Sequence, residues 1–163
     1  MPYDECVCRR MGNAHGLCES ELTFSEKGKK VRLSIRPSEE VKAVVLDDCV
    51  FRDNKLKCDG LFLYRSDTKK AALLVELKGA GDIPHAFAQL AYVRKSRPEY
   101  RDLVDKLRQT DGPGQVIEKA FIVSSGQLSR PRIETLENQY DIRISALLHS
   151  KAISSIPDLR DYL

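Results

Sequence analysis

At 163 residues the chain has room for one domain with a real core, and 42% hydrophobic residues with few aromatics exclude a disordered or low-complexity polypeptide. Its 27 basic and 24 acidic residues leave a net charge of +3, too small to demand a polyanionic partner. No apolar run approaches the roughly 20 residues of a membrane-spanning helix, and MPYDECVCRR lacks the apolar stretch of a secretion signal, so a cytoplasmic protein without a membrane contact is expected.

Two parts are expected, a cysteine-containing segment with a hairpin over residues 1–36 and a core over residues 37–163. Five cysteines with no secretion signal read as reduced thiols or metal ligands rather than as a disulfide framework. Cys6, Cys8, His15 and Cys18 supply three sulfurs and an imidazole, the atoms of a tetrahedral structural Zn²⁺ or an iron–sulfur centre. Cys-x-Cys is tighter than the usual ligand pair, and unligated thiols are the alternative. Cys49 and Cys58 lie in apolar runs and read as packing residues.

Partial alternation from Leu22 to Arg36 around Glu26-Lys27-Gly28 reads as a hairpin. Ser38 can then cap a helix that carries Glu39 and Glu40 in its first turn and packs Val41, Val44, Val45 and Leu46 inward, ending near Cys49. A short strand over 49–51 and a longer one over 56–64 follow. Beyond the polar turn Arg65-Ser66-Asp67-Thr68, AALLVELKG is apolar enough to be buried on both faces. Gly79-Ala80-Gly81 breaks that strand, and Asp82 opens a helix with Ile83, Ala86, Phe87, Leu90 and Ala91 on one stripe. Pro98 divides it from a second helix, 99–108. After the loop QTDGPG come a buried strand (VIEKAFIVSS), a helix (PRIETLENQY) and a last strand (DIRISALL). An antiparallel meander followed by strand, helix and strand makes an α/β fold, with a central mixed β-sheet flanked by helices.

Three charges interrupt the apolar runs. Side chains two apart on a strand share a face, so Glu76 and Lys78 point one way while Val75 and Leu77 point the other. If the two strands pair through the RSDT turn, Asp59 approaches Glu76 across the ladder. Two close carboxylates repel unless a cation lies between them, and Mg²⁺ held by one or two carboxylates is the common answer. Lys78 is then placed to hold or deprotonate a water, or to offset phosphate charge. A salt bridge or solvated edge is the plainer reading of an isolated Glu-x-Lys. The strand's hydrophobicity and the glycine-rich bend after it favour a cleft.

Asp59-Gly60 followed by Glu76-Leu77-Lys78 on adjacent strands resembles the PD-(D/E)XK nuclease superfamily, over roughly residues 38–125. The resemblance implies a restriction-endonuclease-like αβββαβ core with the N-terminal hairpin as an extension. It also implies Asp59 and Glu76 as ligands of Mg²⁺ or Mn²⁺, Lys78 as the residue assisting the attacking water, and a first-helix acid joining the metal. Glu40 matches that acid by position, with Glu39 the other choice. Some members carry a Gln and a Tyr on the following helix. Gln89 matches, whereas Tyr92 follows one residue too soon, and Cys58 stands where the family's name has proline.

Lys27, Lys29 and Lys30 at the hairpin, and Arg94, Lys95 and Arg97 after the Gln89 helix, are the candidate nucleic-acid contacts, and solvated charged faces are the alternative. His85 could donate a proton to a leaving oxygen; Ser124-Ser125-Gly126 has no identifiable base and reads as a turn. The expected protein is a metal-dependent endonuclease, acting on DNA rather than RNA as a homodimer in restriction, repair or anti-phage defence. The alternative is a catalytically inactive nucleic-acid-binding or structural subunit of the same fold.

Overall fold

The computed structural model describes residues 3–151 and 154–163. Two sheets form. The smaller is antiparallel, in the order β1 (Cys18–Ser20), β2 (Thr23–Glu26) and β3 (Lys29–Arg32). Its β2–β3 turn is the expected one, because Lys27 and Gly28 adopt φ of 49° and 80°, the left-handed pair that matches strand twist in a two-residue hairpin.

The larger sheet runs β4 (Glu40–Val45), β5 (Gly60–Arg65), β6 (Lys70–Lys78), β7 (Ile117–Ser124) and β8 (Ala146–His149), neighbours in sequence being neighbours in space. The first three strands form an antiparallel meander and the last three run parallel, so the sheet is mixed as expected. Helices α1 (Ile83–Ser96) and α2 (Pro98–Arg108) fill the connection from β6 to β7, and α3 (Arg130–Tyr140) crosses from β7 to β8. Pro98 starts α2, as its ring allows at a first helical turn.

The N-terminal core element differs from expectation. The helix expected from Ser38 to near Cys49 is instead β4, paired residue for residue with β5 from Glu40↔Arg65 to Val45↔Gly60. Val41, Val44 and Val45 suit a helix stripe by spacing, but β-branched side chains pack well on a pleated surface, and β5 offers an open edge. The strand expected over 49–51 is reduced to a single bridge between Asp47 and Phe51. The expected αβββαβ order therefore lacks its first helix.

Helix α1 packs on β6 and β7 and against α2 and α3, while β3 lies against β6 and β7. The ε-ammonium of Lys70 on β6 donates to the carbonyls of Arg108 and Thr110 at the end of α2, which marks the helical face of that strand. Gly60 and its partner Val75 face the small sheet, where the Phe24 ring lies over Gly60 and 4.6 Å from the Phe62 ring. Phe24, Val31 and Leu33 belong to the same apolar cluster as β5, β6 and β7, so the hairpin shares the core.

Four of the five cysteines are paired in disulfides: Cys6 with Cys49 and Cys8 with Cys18. This corrects the reading of reduced thiols or metal ligands. It also moves Cys49 from packing residue to half of a crosslink, whereas Cys58 is the free, buried thiol expected. The Cys8 N–H donates to Ala43 O, and Val7 bridges Val44, so the N-terminal segment runs along β4.

Candidate active site

The β5–β6 register brings the two strand-end acids together. Gly60 opposes Val75, which leaves Asp59 next to Glu76 at the end of the ladder. The Asp59 N–H donates to Glu76 Oε1 at 2.9 Å, and the Leu77 N–H donates to Asp59 Oδ2 at 2.8 Å. Each carboxylate thus accepts a backbone N–H from the other acid's strand. Lys78 Nζ lies 3.3 Å from Glu76 Oε2. Lys78, expected to be more than a counter-ion, is here ion-paired with Glu76. By alternation Glu76 and Lys78 share the helical face of β6 with Lys70.

Asp59 is 7% exposed and Glu76 3%. Burial, then the charge of Asp59, pushes the Glu76 carboxyl up, while Lys78 pulls it down by less. Burial, then the charge of Glu26, pushes Asp59 up against the Leu77 hydrogen bond. Two desolvated carboxylates held this close favour a shared proton or a cation between them.

The wall beside Asp59 was not legible in the sequence. A pocket of about 290 Å³ is lined by Asp59, Glu26, Asp47 and Asp48 together with the stretch from Ala14 to Leu17. Asp47 and Asp48 were read as the end of a helix; β4 ends before them, and the chain turns at Asp48 with φ 62°. Among the described residues no group of three or more His, Cys, Asp and Glu side chains is arranged to hold a metal ion. The two carboxylates that the fold brings together here are Asp59 and Glu76.

Gln89 on α1 does reach this region. Its Nε2 donates to Lys57 O at 2.8 Å, two residues before Asp59, and its buried Oε1 has no hydrogen-bond partner. Glu40 does not. It sits at the far end of β4, five residues or roughly 17 Å from the Val45↔Gly60 pair, and is bound to Arg65 at 2.6 Å. Glu39 is held by Arg160 and Tyr64. With the first helix replaced by a strand, neither acid joins Asp59 and Glu76. The Tyr92 ring lies 5.7 Å from the Arg97 guanidinium, and His85 is exposed on the first turn of α1.

The basic candidates separate. Arg97 is a buried strut: it makes a two-pronged pair with Asp53 at 2.6 and 2.8 Å, donates to Leu56 O, and stacks 4.4 Å over the Phe51 ring. It presents no free charge to a phosphate. Lys29 is buried and donates to Lys27 O, Lys30 pairs with Glu19, and Lys27 stands at the hairpin turn. Lys95 pairs with Asp141. Arg94 lines a pocket of about 640 Å³ with Lys95, Arg101, Lys119 and Arg143; Arg101 pairs with Glu118 and Arg143 with Glu137, while Lys119 donates to Tyr162 O. The expected zinc set is dispersed as well, since Cys8 and Cys18 bond to each other, Cys6 bonds to Cys49, and His15 Nε2 lies 3.3 Å from Glu5 O.

Comparison with protein-family models, curated proteins and solved structures finds no match to this chain. No described helix is long and apolar enough to cross a membrane.

Proposed function

We propose that the protein is a divalent-metal-dependent nuclease of the PD-(D/E)XK type. The observation that carries the reading is the reciprocal pairing of Asp59 and Glu76 at one end of the sheet, with Lys78 on the outer oxygen of Glu76. Two buried carboxylates are hard oxygen donors that suit Mg²⁺ or Mn²⁺, and burial that disfavours their charges makes such a cation favourable there. When bound, the cation polarises the phosphoryl group and offsets the charge that builds on it. Asp59 and Glu76 would hold that cation from two strands. The Lys78 ammonium, released from Glu76, stabilises the developing phosphorane charge or orients the attacking water. Gln89 braces the chain before Asp59 through Lys57 and offers its free Oε1 as an acceptor for that water.

DNA is the proposed substrate, in restriction, repair or anti-phage defence. A homodimer would convert two single-strand cuts into a double-strand break. Purified protein incubated with plasmid should cut in Mg²⁺ or Mn²⁺ and not in EDTA, and Lys78→Ala should cut about 10²–10³-fold more slowly with an unchanged melting temperature. One observation favours a second reading, a non-catalytic binding or structural subunit: the inward oxygens of both acids are already taken by backbone N–H groups. DNA and RNA left whole in either metal, yet retained in a gel shift, would establish that alternative.

A further inference from the structure

The nuclease reading, on which this inference rests, requires a phosphodiester to come within hydrogen-bond reach of groups that are more than nine-tenths buried. Part of the cover has to move. The pocket beside Asp59, about 290 Å³, has Ala14 to Leu17 and Asp47 with Asp48 as its walls, so those segments stand between Asp59 and a strand approaching from that side.

Both walls end in disulfides. One wall, Ala14 to Leu17, lies wholly inside the loop closed by Cys8–Cys18, whose sulfurs belong to residues ten apart in sequence. The other, Asp47 and Asp48, is followed directly by Cys49, bonded to Cys6. The ends of the first loop are pinned to sheets, by Cys8 N–H on Ala43 O and by Ser25 N–H on Leu17 O. Between them the chain is mostly exposed, with Met11 82% exposed; Asn13 and Arg9 bond across their own turn, and His15 Nε2 lies 3.3 Å from Glu5 O. A segment with few buried contacts opens at little cost once its crosslink is cut.

We propose that thiol–disulfide exchange at Cys8–Cys18 controls access to Asp59. Cys18 is half-buried while Cys8 is 3% exposed, so a dithiol reductant attacks through one thiolate at Cys18 Sγ and expels Cys8 as thiolate. The second thiol of the reductant then displaces Cys18 from the mixed disulfide. Two electrons pass to the protein, Cys8 and Cys18 take up protons as thiols, and the reductant leaves as its own disulfide. In the oxidised state Ala14 to Leu17 stand against the narrow pocket beside Asp59. In the reduced state the loop lifts and a nucleic-acid strand reaches Asp59.

The test compares amide hydrogen exchange of the full-length protein, oxidised and in dithiothreitol, with iodoacetamide mapping of which sulfurs have been reduced. Residues 9–17 should exchange at least tenfold faster once Cys8 and Cys18 alkylate, while β6 and β7 stay unchanged. Cys8→Ser with Cys18→Ser should exchange at the fast rate with or without reductant. Unchanged exchange in the loop after reduction, acceleration of the whole sheet, or a Cys8–Cys18 bond that resists dithiol in the folded protein would each overturn the gate. Plasmid cutting with Mg²⁺ in both states separates the two ideas. At least tenfold faster cutting on reduction supports the gate, and measurable cutting at equal rates in both states overturns it. Loop opening with DNA intact in both states retires the nuclease reading and leaves the gate standing.

Discussion

Gly60 follows Asp59 and sits under the Phe24 ring, so Gly60→Ala tests whether the hairpin is packed onto the site-bearing strand as described. A Cβ built there falls 2.5 Å from Phe24 Cε2, 2.7 Å from Cζ and 3.0 Å from Cδ2, where carbon atoms normally approach to about 3.5–4.0 Å. The ring cannot slide away freely, because it is fully buried and stacked 4.6 Å from Phe62. Overpacking of this kind costs about 1–3 kcal/mol, and alanine's smaller unfolded-state freedom returns about 0.4–1 kcal/mol. A net loss of about 1–2 kcal/mol is expected, read as a lower urea midpoint with an unchanged slope. Phe24→Leu removes the two nearest atoms in conflict, Cε2 and Cζ, so in that background Gly60→Ala should cost less than about 0.5 kcal/mol, a coupling of about 1 kcal/mol in the double-mutant cycle. A neutral Gly60→Ala, or an equal cost in both backgrounds, would refute the packing of Phe24 on this strand.

Glu39, held by Arg160 and then Tyr64, has its carboxyl lowered from 4.5 to about 2. A lowered folded value contributes stability above the unfolded value that is lost as pH falls through the folded one, so Glu39→Gln should flatten the fall in melting temperature between about pH 5 and pH 2. Arg97→Ala removes the clamp on Asp53 and the 51–56 loop and should cost about 3 kcal/mol by urea unfolding, with no change in the salt dependence of any DNA binding. Gln89→Met gives up one hydrogen bond but also removes an unpaired buried oxygen, so stability should change by less than about 1 kcal/mol. Under the proposed function its cleavage rate should fall at least tenfold, and unaltered cutting would remove Gln89 from the site.

Strand β6 was legible because an unbroken apolar run is bounded by turn residues, and its pairing with β5 followed from the short polar turn between them. That register was enough to bring Asp59 beside Glu76, since both sides of the pairing are local in sequence. The hairpin at Lys27-Gly28 and the break at Pro98 were equally local, set by glycine's freedom and proline's missing N–H. The outer part of the site was not. Val41, Val44 and Val45 fit a helix stripe and a pleated strand alike, and only the open edge of β5 decided for the strand. That decision carried Glu40 to the far end of the sheet.

The remaining differences involve partners distant along the chain. Arg97 looked like a free cation until the fold laid Asp53 and Phe51 across it. Cys6 and Cys49 are 43 residues apart, and no spacing rule joins them. Glu26 comes to Asp59 from another sheet altogether. Backbone preference and side-chain periodicity act over a few residues, so the sequence by itself determined the β2–β3 hairpin, the strands from β5 onward and the paired acids, but not β4. Which charges are neutralised, which sulfurs meet and what covers Asp59 depend on packing between segments far apart in the chain, and only the tertiary structure decided them.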